Sequence, residues 1–177
     1  MRSNMKQGLL AGMTSLVVFA GLGCAGGEFK APAATLNRSA TLSGGLPENP
    51  MAWKIITSIV DTSAATTSTL YGNEIAVAYA RSNAGQTYPN GAEIALVTWT
   101  QREDDRWFGA KIPDQVKSVE FAAVEGPDTT KSQGPGERQY DYEKYEGTPL
   151  RQVIKQRALA PDDRMTALFS QRAAVMP

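Results

Sequence analysis

Histidine is absent from this chain of 177 residues, and cysteine occurs once, as Cys24. A single thiol excludes a disulfide framework and every zinc site built on cysteine pairs. The missing imidazole removes Ser-His-Asp and Cys-His activation of a nucleophile. Charge of either sign is also not in excess, since 18 lysines and arginines balance 18 aspartates and glutamates. With no basic field to hold a phosphate backbone, nucleic acid is not expected as a partner. The Gly134-Pro135-Gly136 stretch lacks the strand, the helix and the Lys-Ser/Thr pair of a phosphate loop, so it reads as loop alone. Carboxylates do come in groups, at Glu103-Asp104-Asp105, Glu143 with Glu146, and Asp162-Asp163. Each group sits at a turn or helix start, where it serves solubility or the helix dipole, whereas a glycosidase needs two carboxylates facing each other across a cleft.

Long apolar runs are equally scarce. The one that exists, over residues 8–22, is uncharged, follows Arg2 and Lys6, and ends in small residues. That is the anatomy of an export signal, and the run is shorter than the roughly 20 residues that span a bilayer as a stable helix. Residues 1–23 are therefore read as a signal peptide, outside the fold. Gly21-Leu22-Gly23-Cys24 resembles a bacterial lipobox, in which the cysteine is alkylated by diacylglycerol and the chain is cut just before it. The leucine stands closer to the cysteine than that pattern prefers, and cleavage after Ala25 with ordinary secretion is the alternative. The expected address is the periplasm, with Cys24 as a lipid anchor in the outer membrane; the alternative is a soluble secreted protein. Residues 24–50, rich in Gly, Ala, Ser, Thr and Pro without an apolar period, read as a flexible tether to a single domain over 51–177.

Regular patterning begins near Trp53. Trp53, Ile55, Thr57 and Ile59 alternate with Lys54, Ile56, Ser58 and Val60, a strand with two partly apolar faces, and a polar stretch over 61–69 follows. Asn73 is placed to cap a helix, with Glu74 in the first turn, Ile75, Ala78 and Tyr79 at helical spacing and Gly85 as a stop. Tyr88-Pro89-Asn90-Gly91 signals a turn, after which Ile94, Leu96 and Thr98 alternate with Ala95, Val97 and Trp99 in a central strand. Trp107-Phe108 reads as a short extended piece, Val119, Phe121 and Ala123 as the apolar face of another strand, and Tyr140 and Tyr142 as one side of a last strand. Thr148-Pro149 opens an expected helix carrying Leu150, Val153 and Ile154, and Pro161 opens a second with the core stripe Met165, Leu168 and Phe169. The expected fold is α+β: an antiparallel meander with one helix between early strands and two C-terminal helices.

Trp53-Lys54-Ile55-Ile56, then Gly72-Asn73-Glu74-Ile75-Ala76-Val77, then Tyr88-Pro89-Asn90-Gly91 with a strand ending Val97-Thr98-Trp99, occur in one order. That series resembles the cytochrome P-460 family, and the likeness runs on through Trp107-Phe108-Gly109-Ala110 and Val116-Lys117-Ser118-Val119-Glu120-Phe121. The resemblance implies a mostly antiparallel sheet with helices, commonly as a homodimer. It also implies a haem held by two thioethers of a C-x-x-C-H motif, with the histidine on iron. In the members that oxidise hydroxylamine, a lysine five residues after the glycine of the Pro-x-Gly turn is cross-linked to the haem, and an arginine lines the distal pocket. Counted from Gly91 the lysine position is Leu96, and the arginine position falls near Ser68; no C-x-x-C-H is present. Covalent c-type haem needs those thiols and, in this family, that imidazole.

The expectation is a relative without covalent haem and without a bound cofactor. It would be a non-catalytic envelope module holding a protein or a small apolar ligand in a vestigial pocket formed by Trp53, Ser68, Leu96 and Trp99. Fold alone does not carry function with it. The alternative is non-covalent haem on a tyrosine such as Tyr140, Tyr142 or Tyr145, in a gas-sensing or redox protein. Cross-strand packing is the favoured reading of the tyrosines, and core filling that of Trp53, Trp99 and Trp107.

Overall fold

The computed structural model describes residues 37–82, 87–126 and 138–174. Six strands follow one another as β1 (Lys54–Asp61), β2 (Thr66–Gly72), β3 (Glu93–Glu103), β4 (Lys111–Glu125), β5 (Gln139–Glu146) and β6 (Arg151–Ala158). They lie side by side in chain order, every neighbouring pair antiparallel. Helix α1 (Glu74–Ser82) is inserted between β2 and β3, and α2 (Asp163–Phe169) follows β6. The architecture is thus the expected α+β meander, in which each connection is local and the sheet has two faces to cover.

Side chains alternate across a strand, so register decides which residues share a face. Leu70 pairs with Leu96 and Ile94 with Ala122, and these four join Tyr140, Tyr142 and Val124 in the core beneath the helices. Leu96 lies on the same face as Ile94, as the alternation predicts. Asn73 starts α1 by accepting a bond from the Ala76 amide at 2.9 Å, while its amide group donates to the Gly91 carbonyl at 2.8 Å. The helix then buries Ala76, Val77 and Ala80, small enough to let it lie close to the sheet. Asp162 caps α2 through the Met165 amide at 2.8 Å, and Met165, Leu168 and Phe169 face inward. Tyr88 fills the seam, with its ring 4.6 Å from Tyr79 and 5.5 Å from Phe169.

The opposite face carries Tyr71, Val97, Trp99, Val119 and Tyr145. Its cover is the segment expected to be a flexible tether up to residue 50, and that reading is corrected here: from Asn37 onward the chain is a strap packed on the sheet. Asn37 and Asn49 each cap a short 3-10 turn, Pro50 is buried, and Leu42 and Leu46 lie against Trp99 and its neighbours. Trp99 donates its indole N–H to the Ala40 carbonyl at 2.9 Å, and the Leu150 amide donates to Ser43 at 2.7 Å. Gly44 adopts φ +130°, where a Cβ would sit 2.3 Å from the Leu150 carbonyl oxygen, so only glycine permits this approach. Residues 1–36, which include the expected signal peptide and Cys24, lie outside the described residues.

One strand was not foreseen, and two other expectations are overturned. The polar stretch 61–69 contains the start of β2, because threonine suits a pleated strand and the hydroxyls are satisfied laterally, Ser68 to Thr98 at 2.9 Å. The first of the two C-terminal helices, over Leu150, Val153 and Ile154, is instead the edge strand β6: only Leu150 of that stripe is buried, and the β-branched Val153-Ile154 pair favours the strand. Trp107 and Phe108 form no strand; they sit exposed in the turn between β3 and β4.

One ion pair fastens α2 to the sheet. Glu120 on β4 is buried beneath Arg164, whose guanidinium donates to both carboxylate oxygens at 2.7 and 2.6 Å, while Tyr142 donates its hydroxyl at 2.6 Å. Burial pushes the Glu120 carboxyl up, but the bonds from Arg164 and Tyr142 and the arginine charge outweigh it and hold it below its ordinary value of 4.5. A carboxyl depressed on folding contributes stability above its unfolded pKa and loses it as pH falls through the folded one. The wild type should therefore weaken as pH drops below about 4.5, through this group among others. Arg164→Leu leaves an unpaired buried carboxylate and should cost about 2 kcal/mol at pH 7, less than for a fully buried pair because the guanidinium side chain is half exposed. In urea titrations across pH the variant should lose less than the wild type on acidification, since its Glu120 now gains from protonation; parallel pH profiles would count against this assignment.

Candidate functional site

The two faces of the sheet offer different chemistry. On the helix-covered face, Leu96 stands where the resemblance places the haem-linked lysine. It is 6% exposed, lies across from Leu70, and belongs to the same cluster as Ile94 and Ala122. Ser68, at the arginine position, is two residues from Leu70 on this face, with its hydroxyl bonded to Thr98. The nearest charged group on the same face, Glu120, has both oxygens engaged by Arg164 and Tyr142.

Trp53 and Trp99 are on the opposite face. The structure therefore does not gather Trp53, Ser68, Leu96 and Trp99 into one pocket: a full sheet separates the first and last from the middle two. Trp99 is packed under the strap, and Trp53 borders a hollow.

Two of the three candidate tyrosines, Tyr142 and Tyr145, are held in their neutral form. Burial and the Glu120 carboxylate push Tyr142 well above the usual phenol range. Burial, then its 2.6 Å bond to Glu143, pushes Tyr145 up to about 12. Tyr140 packs its ring 5.9 Å from Phe169 in the core. A phenolate ligand to iron must be deprotonated, so the environments of Tyr142 and Tyr145 oppose that role. A haem of the kind the resemblance implies does not fit the residues present, because the chain has no histidine, no C-x-x-C-H, and leucine at the cross-link position.

The hollow lies on the face of the strap. It encloses about 220 Å³ and is bounded by Pro47, Glu48 and Trp53 on the strap side and by Glu93, Phe121, Ala123, Asp141 and Glu143 from β3, β4 and β5. Pairing register builds it: Glu93 faces Ala123, and Ala123 faces Asp141, so a methyl group stands between two longer side chains and leaves space above itself. Trp53 meets Phe121 edge to face, with centroids 6.1 Å apart and planes at 84°, and Phe121 meets Tyr145 in the same way at 5.8 Å.

Four carboxylates surround this aromatic floor, and they differ in their partners. Asp141 is held by Arg157 through two bonds of 2.6 Å, which keep its carboxyl low. Glu143 is bonded by Lys155 at 2.8 Å and by the Tyr145 hydroxyl; burial raises it, but these bonds and the lysine charge leave it lowered. The side chains of Glu48 and Glu93 have no hydrogen bond or ion pair among the described residues. Burial, then the negative charges of Glu48 and Glu125, push the Glu93 carboxyl up. The site thus combines an apolar aromatic floor with uncompensated negative charge.

Of these residues the sequence singled out Trp53 as a pocket residue and Phe121 and Ala123 only as a strand face. Glu93 and Asp141 were not distinguishable from surface carboxylates, because what brings them together is the register of three neighbouring strands.

A search of curated proteins finds no match to this chain. The family model of cytochrome P-460 matches residues 47–160, more than half of the chain and from the strap through β6. The ordered motifs, the meander and this match agree, and the chain belongs to the cytochrome P-460 family.

Proposed function

We propose that this protein is a non-catalytic cell-envelope module that keeps the P-460 fold without covalent haem and uses the hollow beside Trp53 and Phe121 to bind a small ligand. The observation that carries the reading is Leu96: where the resemblance calls for a haem-linked lysine, the chain has a leucine built into the core between Leu70 and Ile94. Its surroundings support packing in place of a cofactor, with hydroxyls paired to each other and Glu120 committed to Arg164. The second support is the hollow on the other face, which combines apolar walls with a few polar groups, the usual make-up of a small-molecule site.

The test of a closed core is Leu96→Lys. An ammonium placed there has no carboxylate free to meet it, so it must deprotonate or disrupt the packing. A loss of about 3 kcal/mol or more in urea unfolding is expected. Wild-type stability in the variant would mean that the lysine reaches water through an open cavity, and the reading would fail.

The envelope address rests on the export signature and on Cys24 as the lipid-bearing residue, with the outer membrane as the surface it anchors to. In cells, Cys24→Ala should move the protein from the membrane to the soluble periplasmic fraction and remove any acyl mass. A wild-type protein already soluble and cut beyond Cys24 would contradict the anchor. A second copy is the proposed partner, since β1 is an edge strand with exposed Ile55 and Val60. Light scattering on the unlipidated protein should give twice the chain mass, and a monomer would remove this partner.

A further inference from the structure

We infer that the hollow takes a small organic cation, an alkylated or quaternary ammonium carrying an apolar group, seated between the Trp53–Phe121 pair and the carboxylates of Glu48 and Glu93. The inference rests on the reading that this hollow is the ligand site, and it adds the chemistry of the ligand.

Three observations point the same way. The floor is aromatic, with Trp53 set edge to face on Phe121. An aromatic face is electron-rich and attracts a cation most strongly when water is displaced, the principle of sites that hold quaternary ammonium groups. The rim is acidic, and the two carboxylates on the strap and β3 sides are unbalanced: Asp141 and Glu143 have Arg157 and Lys155, whereas Glu48 and Glu93 have no partner among the described residues. A half-buried carboxylate repelled by its neighbours is a standing penalty in the free protein, and a cation in the hollow relieves it. The wall between them is the Ala123 methyl group, which gives the body of the ligand an apolar surface and no hydrogen bond.

The same features disfavour the other ligand classes of this size. An anion would face four carboxylates. A divalent metal wants six or more oxygens, or several strong donors converging on one point. No group of three or more potential metal ligands converges in that way among the described residues. A purely apolar molecule would gain from Trp53 and Phe121 but would strip water from Glu93 without compensation.

The probe is benzyltrimethylammonium chloride, compared with neopentylbenzene, its uncharged isostere, and with benzenesulfonate, all at one ionic strength. The read-out is amide chemical shift by nuclear magnetic resonance on the mature protein, in the wild type and in Glu93→Gln. Glu93 has no partner to lose, so the neutral variant should stay folded, and its spectrum reports this directly. The ammonium should produce saturable shifts around Glu93, Phe121 and Ala123. Its affinity should fall at least tenfold in Glu93→Gln, and neopentylbenzene and benzenesulfonate should bind at least tenfold more weakly. Equal binding of the ammonium and its isostere, or an affinity unchanged in Glu93→Gln, would overturn the cation while leaving the hollow as a ligand site. Absence of shifts at the hollow with every probe would overturn both.

Discussion

The carboxylate of Glu120, buried in the middle of the sheet, is the group on which the helix-covered face depends. A charge in that position is tolerable only if its oxygens are fully bonded, and Arg164 and Tyr142 bond them. The guanidinium can reach only if α2 lies where it does, so one polar requirement sets the position of a seven-residue helix. With α2 fixed, Met165, Leu168 and Phe169 complete the core over Tyr88 and Tyr140. Leu96, at the position where the resemblance places a haem-linked lysine, is packed into this same core.

The two faces have separate histories of cover. Helices close one side, and the strap from Asn37 to Ala52 closes part of the other. Beside Pro47 and Glu48 of the strap, the small side chain of Ala123 leaves the hollow open next to Trp53 and Phe121. Sheet pairing holds the strands of this family fold together, and a shared fold does not by itself carry a family's chemistry.

Much of this was legible in the chain. The alternation around Ile94 and Leu96 gave a strand and the correct face, the Asn73–Glu74 pair gave the start of α1, and Met165, Leu168 and Phe169 gave the inward side of α2. Failures occurred where tertiary context decides. β2 is written in threonine and serine, whose hydroxyls are satisfied only by a neighbouring strand. β6 has apolar residues at spacings that suit a helix, yet it lies at a sheet edge with Val153 and Ile154 exposed. The strap has too few apolar residues to show a period; Leu42 and Leu46 matter because Trp99 waits beneath them. The hollow could not be seen in advance, since Glu48, Glu93 and Asp141 meet only through strand register and the fold of the strap.

The central claim is that the family fold persists here without its haem, and an absorption titration of the purified mature protein with hemin tests it most directly. The account predicts that the spectrum stays that of free hemin across the titration. A Soret band that shifts and saturates at one equivalent would contradict it, showing that the chain still offers iron a ligand.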